Sequence, residues 1–264
     1  MSFSDLIEQL RQSPIREVTA PASWTQGRAL FGGLVAGLLY EAMRLEVDAE
    51  RLVRSFSISF VGPVAAEEPL RVEARVLRQG RSVTQVQAHG LQGDQVMAAA
   101  LASFGAGRDS KLRMMPVPAP EVKAPEECES APFIPELSPA FAQHFELRWA
   151  IGDYPYTGVD HRAMGGWMRF RESPETIGDA HLIGLVDAWP PAVLPLLTER
   201  APSSTLTWTL DFIHPLPSIR GDDWLLYRAV VDHVRDGYNQ AHAHVWNRDG
   251  DLIALSRQTV VVFD

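Results

Sequence analysis

Apolar and polar positions fall into two different periods along this chain. Residues 30–45, LFGGLVAGLLYEAMRL, carry no charged side chain until Glu41, and the apolar ones recur at spacings of three and four. That pattern predicts a helix apolar on most sides and therefore wrapped by other structure. Downstream the period drops to two: Val72, Ala74 and Val76 alternate with Glu73, Arg75 and Leu77. Four strands are expected here, LVRSFSISFVGP, LRVEARVLRQG, SVTQVQAHGLQ and QVMAAALASFG, with RQGR and LQGDQ as turns between antiparallel neighbours. The second half offers a similar series, TLTWTLDFIHP, DWLLYRAVVDHV, YNQAHAHVW and DLIALSRQTVVVF, with the turn NRDG. GGWMRFR at 165–171 reads as an earlier strand of that half.

The halves are separated by seven prolines within residues 116–139, a composition that makes an extended connector rather than a helix or a central strand. The expected division is residues 1–110, a connector at 111–144, and residues 145–264. An internal repeat supports it. GLVAGLL at 33–39 aligns to GLVDAWP at 184–190, FVGP at 60–63 to FIHP at 212–215, RQGRS at 78–82 to RDGYN at 235–239, and Gly93-Asp94 to Gly250-Asp251. The offset grows from 151 to 157 residues in one direction, as short loop insertions would cause. A buried helix followed by an antiparallel sheet that curls around it, present twice, is an α+β architecture.

Composition narrows the function classes. The chain has 264 residues, 46% hydrophobic and 22% charged, as expected of a water-soluble protein with ample core. The net charge of −9 argues against a general attraction to nucleic acid. The only cysteine, Cys128, permits no internal disulfide. No stretch approaches the roughly 20 apolar residues of a membrane span, and the first residues are too charged for a secretory signal, so a cytoplasmic location is expected.

ALFGGLVAGLLYEAM, RLVRSFSISFVGP, VLRQGRSVTQVQ and DDWLLYR resemble the acyl-CoA thioesterase II family and its thioesterase-like relatives. Those proteins are double hotdogs, two hotdog units fused in one chain, each with a long central helix wrapped by a curved antiparallel sheet. The resemblance covers nearly the whole chain outside the connector and the first few residues. It implies hydrolysis of an acyl-CoA without a cofactor or metal, and a homodimer or larger assembly. It also implies a water-activating set in the second unit: Asp187 in GLVDAWP, Thr205 in SSTLTWTLDFIHP, and Gln258 in SRQTVVVF. The chain departs from the family in having LTWTL after Thr205, where a histidine-bearing segment is usual, and Thr259 after Gln258, where an acidic residue is usual.

The residue types suit that chemistry. Thioester hydrolysis needs a water, an acceptor for its proton, and donors for the oxyanion. A carboxylate accepts the proton, a glutamine amide both donates and accepts, and a threonine hydroxyl holds either partner. The repeat offsets align Asp187 with Ala36, Thr205 with Val53 and Gln258 with Leu101, so all three polar residues have apolar counterparts. The bland alternatives are a helix-end carboxylate, a plain strand threonine and a structural glutamine. Other candidates are poorer. His242 and His244 share one strand face without a third ligand. His214, at a strand end, is the only plausible base for an enoyl-CoA hydratase on the same fold. A non-catalytic acyl-CoA-binding module is the remaining alternative. Cys128 has no partner histidine, and Arg75, Arg78 and Arg81 read as solvent-facing.

Overall fold

A computed structural model describes residues 1–263. The chain opens with α1 (Phe3–Gln12), which sequence reading passed over. Its signals are local: Ser2 Oγ accepts from the Asp5 N–H at 3.2 Å, Asp5 Oδ2 accepts from the Ser2 N–H at 2.7 Å, and Phe3, Leu6, Ile7 and Leu10 form one buried stripe. After β1 (Glu17–Thr19) and the small pair β2 (Thr25–Gln26) and β3 (Ala29–Leu30) comes α2 (Gly32–Arg44). Residues 33–43 of α2 are all buried. The one carboxylate among them, Glu41, is compensated by Arg11 of α1, whose Nε lies 2.7 Å from Glu41 Oε1.

The strands that follow match the expected ones, with one more at residues 145–151 that was not expected. They are β4 (Leu52–Phe60), β5 (Pro69–Gln79), β6 (Val83–Gln92) and β7 (Gln95–Gly105) in the first unit. The second unit has β8 (Phe145–Ile151), β9 (Ala163–Phe170), α3 (Asp179–Val186), β10 (Ser203–Phe212), β11 (Leu225–Arg235), β12 (Tyr238–Trp246) and β13 (Leu252–Val262). Eleven of the strands form one antiparallel sheet in the order β1-β5-β6-β7-β4-β10-β13-β12-β11-β9-β8. Outward from the β4–β10 seam, where Phe56 faces Leu210, β4-β7-β6-β5-β1 matches β10-β13-β12-β11-β9, with β8 an addition to the second unit, so an internal two-fold passes through that seam.

Bulges fix the register of the repeat more finely than sequence matching does. Arg54 on β4 and Leu206 on β10 are extra residues against the neighbouring strand, as are Leu77 on β5 and Asp232 on β11, and Met97 on β7 and Ile253 on β13. Each bulge bends its strand, and the curl that wraps the helices is therefore built the same way in both units. This register keeps Thr205 opposite Val53 in the repeat. It corrects the counterpart of Gln258: Trp208 pairs with Gln258 where Phe56 pairs with Ala102, so the match is the buried Ala102 and not the exposed Leu101.

The helices require a second correction. α3 has eight residues against thirteen in α2, because Pro190 and Pro191 follow it and the residue before a proline is driven out of the helical region. The long central helix expected of each unit is thus present only in the first. α2 and α3 pack antiparallel, with Gly37 and Gly184 both against the Phe3 ring. Phe31 and Gly178 are the N-caps of the two helices, and Gly37 lies as far beyond the first as Gly184 beyond the second. Asp187 therefore matches Tyr40, and not Ala36.

The proline-rich connector carries no strand of the main sheet. With few N–H groups to offer a ladder, it is tied down through its carbonyls. Trp246 Nε1 donates to Val117 O at 3.0 Å and Trp167 Nε1 to Lys123 O at 2.9 Å, over a small apolar cluster that includes Cys128, Trp224 and Leu226. Among the described residues no helix is long and apolar enough to cross a membrane.

Candidate active site

Asp187 is the C-cap of α3, at the end the prolines impose. A carboxylate there faces the negative end of its own helix dipole. The antiparallel packing compensates by bringing the N-terminus of α2 against it. A Cβ on Gly32 would lie 2.9 Å from Asp187 Oδ2, and one on Gly33 would lie 2.9 Å from Asp187 Cβ. Two glycines are needed here because any side chain would occupy the space of the carboxylate. The N–H groups of Leu34 and Val35 both go to Phe31 O, so those of Gly32 and Gly33 are left at the open helix end.

The third element is β13. Gln258 Nε2 donates to Asp187 Oδ1 at 2.8 Å. Gln258 sits directly across from Trp208, whose buried indole donates through Nε1 to Ser256 Oγ at 2.8 Å. Asp187 keeps a partial opening to solvent, yet protein atoms surround it closely. Burial pushes its carboxyl up to about 7, against the opposing pull of the Gln258 amide and the Gly33 N–H. The apolar stretch GLVDAWP thus holds a carboxylate with two hydrogen-bonding partners that still takes up a proton near neutrality.

Thr205 reaches the same face through the β10 bulge. It pairs with Val260, and Trp208 pairs with Gln258, so the extra residue Leu206 puts Thr205, Trp208 and Gln258 on one side of the sheet. Among the described residues Thr205 makes no side-chain hydrogen bond to Asp187 or Gln258. The structure therefore joins Asp187 to Gln258 directly and Thr205 to them only by face and register.

Two aromatic residues that sequence reading missed border the carboxylate. Tyr227, on β11, has its phenol pushed up by burial and by the charge of Asp187. Trp189, two residues beyond Asp187, stacks on Tyr227 with centroids 5.8 Å apart and planes 5° from parallel, and meets Trp149 edge-on at 4.6 Å. Its buried Nε1 has no hydrogen-bond partner among the described residues. The signal available in sequence was the Trp immediately after Asp187-Ala188.

The rival candidates lie elsewhere. His242 Nδ1 is 2.8 Å from Asp232 Oδ1 and the His242 and His244 rings are 5.7 Å apart, with no group of three or more potential metal ligands among the described residues. Cys128 is buried in the small cluster under the connector, where burial raises its thiol. Arg75 reaches Gln87 on the neighbouring strand. His214 Nε2 is 2.7 Å from Val53 O, at the other end of α3 from Asp187.

Comparison with known proteins identifies the fold and the family. Residues 20–105 match the family model described as acyl-CoA thioesterase N-terminal domain, and residues 125–262 match the acyl-CoA thioesterase C-terminal domain. Acyl-CoA thioesterase 2 of Haemophilus influenzae is 24% identical over 252 residues, covering 88% of this chain and 86% of that protein. A conserved hot dog-fold protein of Alicyclobacillus acidocaldarius superposes with a TM-score of 0.82 at 24% identity, covering 94% of this chain and 92% of the other. The acyl-CoA thioesterase II TesB2 of Mycobacterium marinum gives 0.74 at 18% identity with the same coverage. These two structures establish a shared hotdog fold; the family assignment rests on the two domain models, which together span both units. The chain belongs to the acyl-CoA thioesterase family.

Proposed function

We propose that the protein hydrolyses an acyl-CoA thioester with water activated by Asp187, Gln258 and Thr205. The observation that carries this reading is the Asp187 carboxylate itself: closely surrounded by protein, bonded to Gln258, set at the N-terminus of α2, and titrating near pH 7. A base with that proton affinity is matched to its task at neutral pH. Asp187 takes a proton from water as the water oxygen bonds to the acyl carbon. Gln258 and the Thr205 hydroxyl orient that water. The Gly32 N–H at the start of α2, the one there not engaged by Asp187 or Phe31 O, stabilises the tetrahedral oxyanion. Collapse breaks the C–S bond and releases CoA as a thiolate, a good leaving group because thiols ionise near pH 8.5. The proton on Asp187 then passes to solvent.

In this reading residues 145–264 are the working half and residues 1–110 the scaffold, since Asp187, Thr205 and Gln258 are replaced by Tyr40, Val53 and Ala102 at the matching places. The protein acts in the cytoplasm as a homodimer or larger assembly. The hydratase alternative would use His214 as its base, but that residue's Nε2 is engaged by the Val53 carbonyl and it lies far from Asp187. Release of free thiol from a panel of straight-chain and aromatic acyl-CoA esters tests the proposal. Turnover of at least one ester is expected; binding without turnover across the panel would favour a non-catalytic acyl-CoA-binding module.

A further inference from the structure

The internal two-fold that places Asp187 against Gly32 must place a second pair at the opposite end of the helices. That pair is Tyr40 and Asp179: Tyr40 matches Asp187, Asp179 matches Gly32, and Tyr40 Oη donates to Asp179 Oδ2 at 2.6 Å. Chemistry of the first kind is lost here. Tyr40 is buried and fills the place of the base, with Val53 and Ala102 in place of Thr205 and Gln258. Space is not lost. A cavity of about 310 Å³ opens beside Asp179, within the size range of roughly 300–1,000 Å³ usual for small-molecule sites. It lies about 12 Å along α3 from Asp187 at the helical rise of 1.5 Å per residue.

The walls define the ligand. Leu52, Leu182, Leu216 and Ile219 make most of the lining apolar, and two polar side chains, Asp179 and His214, join them. Because the Val53 carbonyl can only accept, His214 Nε2 carries the hydrogen of the 2.7 Å contact, and Nδ1 of the neutral ring is left as an acceptor. Asp179 retains Oδ1 as a second acceptor. An apolar trough with two acceptors takes an extended chain that brings N–H donors and no negative charge. Phosphates are disfavoured by Asp179. The amide-bearing pantetheine arm of an acyl-CoA has this chemistry. By the internal two-fold, Gly178 and Asp179 at the cavity match Phe31 and Gly32 beside Asp187.

We propose that the cavity at the start of α3 is a second, non-hydrolytic binding site for the pantetheine arm of an acyl-CoA. The inference rests on the reading of the protein as an acyl-CoA enzyme. The probe is a non-hydrolysable S-alkyl-CoA thioether, titrated calorimetrically into the full chain. Two equivalents per chain are expected for the wild type. Gly178→Phe should bind one. Gly178 lines the cavity in an extended conformation, with φ at −88°, and a Cβ there meets nothing closer than His181 Nδ1 at 3.7 Å, so the variant is compatible with folding. Leu52→Trp, on the rim, is the independent second variant and should also bind one equivalent. Both variants should keep the wild-type kcat within about twofold. A single equivalent in the wild type, or two equivalents undiminished in both variants, overturns the second site while leaving the thioesterase reading intact. No binding at all, with no thiol release from any ester, overturns both.

Discussion

Asp187→Asn should make the protein more stable while making it a poorer enzyme. In the folded chain the Asp187 carboxyl titrates near pH 7, against 3.8 for an unburied one. A folded-state pKa that is raised means the charge is disfavoured by folding. The penalty is absent below about pH 3.8, grows between about pH 4 and 7, and is full above pH 7. At 1.36 kcal/mol for each pK unit, the gap corresponds to about 4 kcal/mol, and the partial opening of Asp187 to solvent makes that a ceiling. Asparagine carries no charge at any of these values, and its side-chain oxygen still accepts from Gln258. Urea denaturation of wild type and variant across pH 4–8.5 should therefore show curves that nearly meet at pH 4 and separate by about 2–4 kcal/mol in favour of the variant at pH 8. A variant equally stable at both values, or less stable at pH 8, would refute the claim that Asp187 is held as a disfavoured charge.

Two further outcomes follow from the same geometry. The wild-type kcat/KM should rise through an apparent pKa near 7, as Asp187 loses its proton, and reach a plateau above it; a profile flat from pH 5.5 to 8.5 would exclude Asp187 as the base. Gly33→Ala places a Cβ 2.6 Å from the Phe31 ring and 2.9 Å from Asp187 Cβ, so hydrolysis should fall by about 10²-fold through displacement of the carboxylate, and wild-type rates in that variant would show that the close approach is unimportant.

The eight principal strands and the central helix were legible because period is a local property: HPHP runs and an uninterrupted apolar face need no knowledge of neighbours. α1 is equally local, through its stripe of Phe3, Leu6, Ile7 and Leu10, yet it is absent from the expected elements. The repeat was legible and its register was not. Sequence matching slid Asp187 onto Ala36 and Gln258 onto Leu101, because inserted residues in loops and bulges are invisible to gapless alignment. The bulges at Arg54 and Leu206 and the shared contact of Gly37 and Gly184 with Phe3 supply the true pairing. The corrected partners change the physics. Leu101 is exposed, whereas Ala102 and Tyr40 are buried and pack the place where the second unit keeps its polar pair. Asp187 and Gln258 were found through family resemblance and meet at 2.8 Å, although they are distant in sequence. Trp189 and Tyr227 could not be assigned because their stacking depends on β11 lying beneath the end of α3.

In the proposed mechanism Asp187 removes the proton from the attacking water. Steady-state release of CoA thiol from the best acyl-CoA substrate, compared at pH 8 between wild type and folded Asp187→Asn, tests it most directly. A positioned base supplies about 10²–10⁴ in rate, so kcat of the variant should fall by that factor. A variant that turns over within a few-fold of the wild type would contradict the claim and leave Asp187 a structural residue.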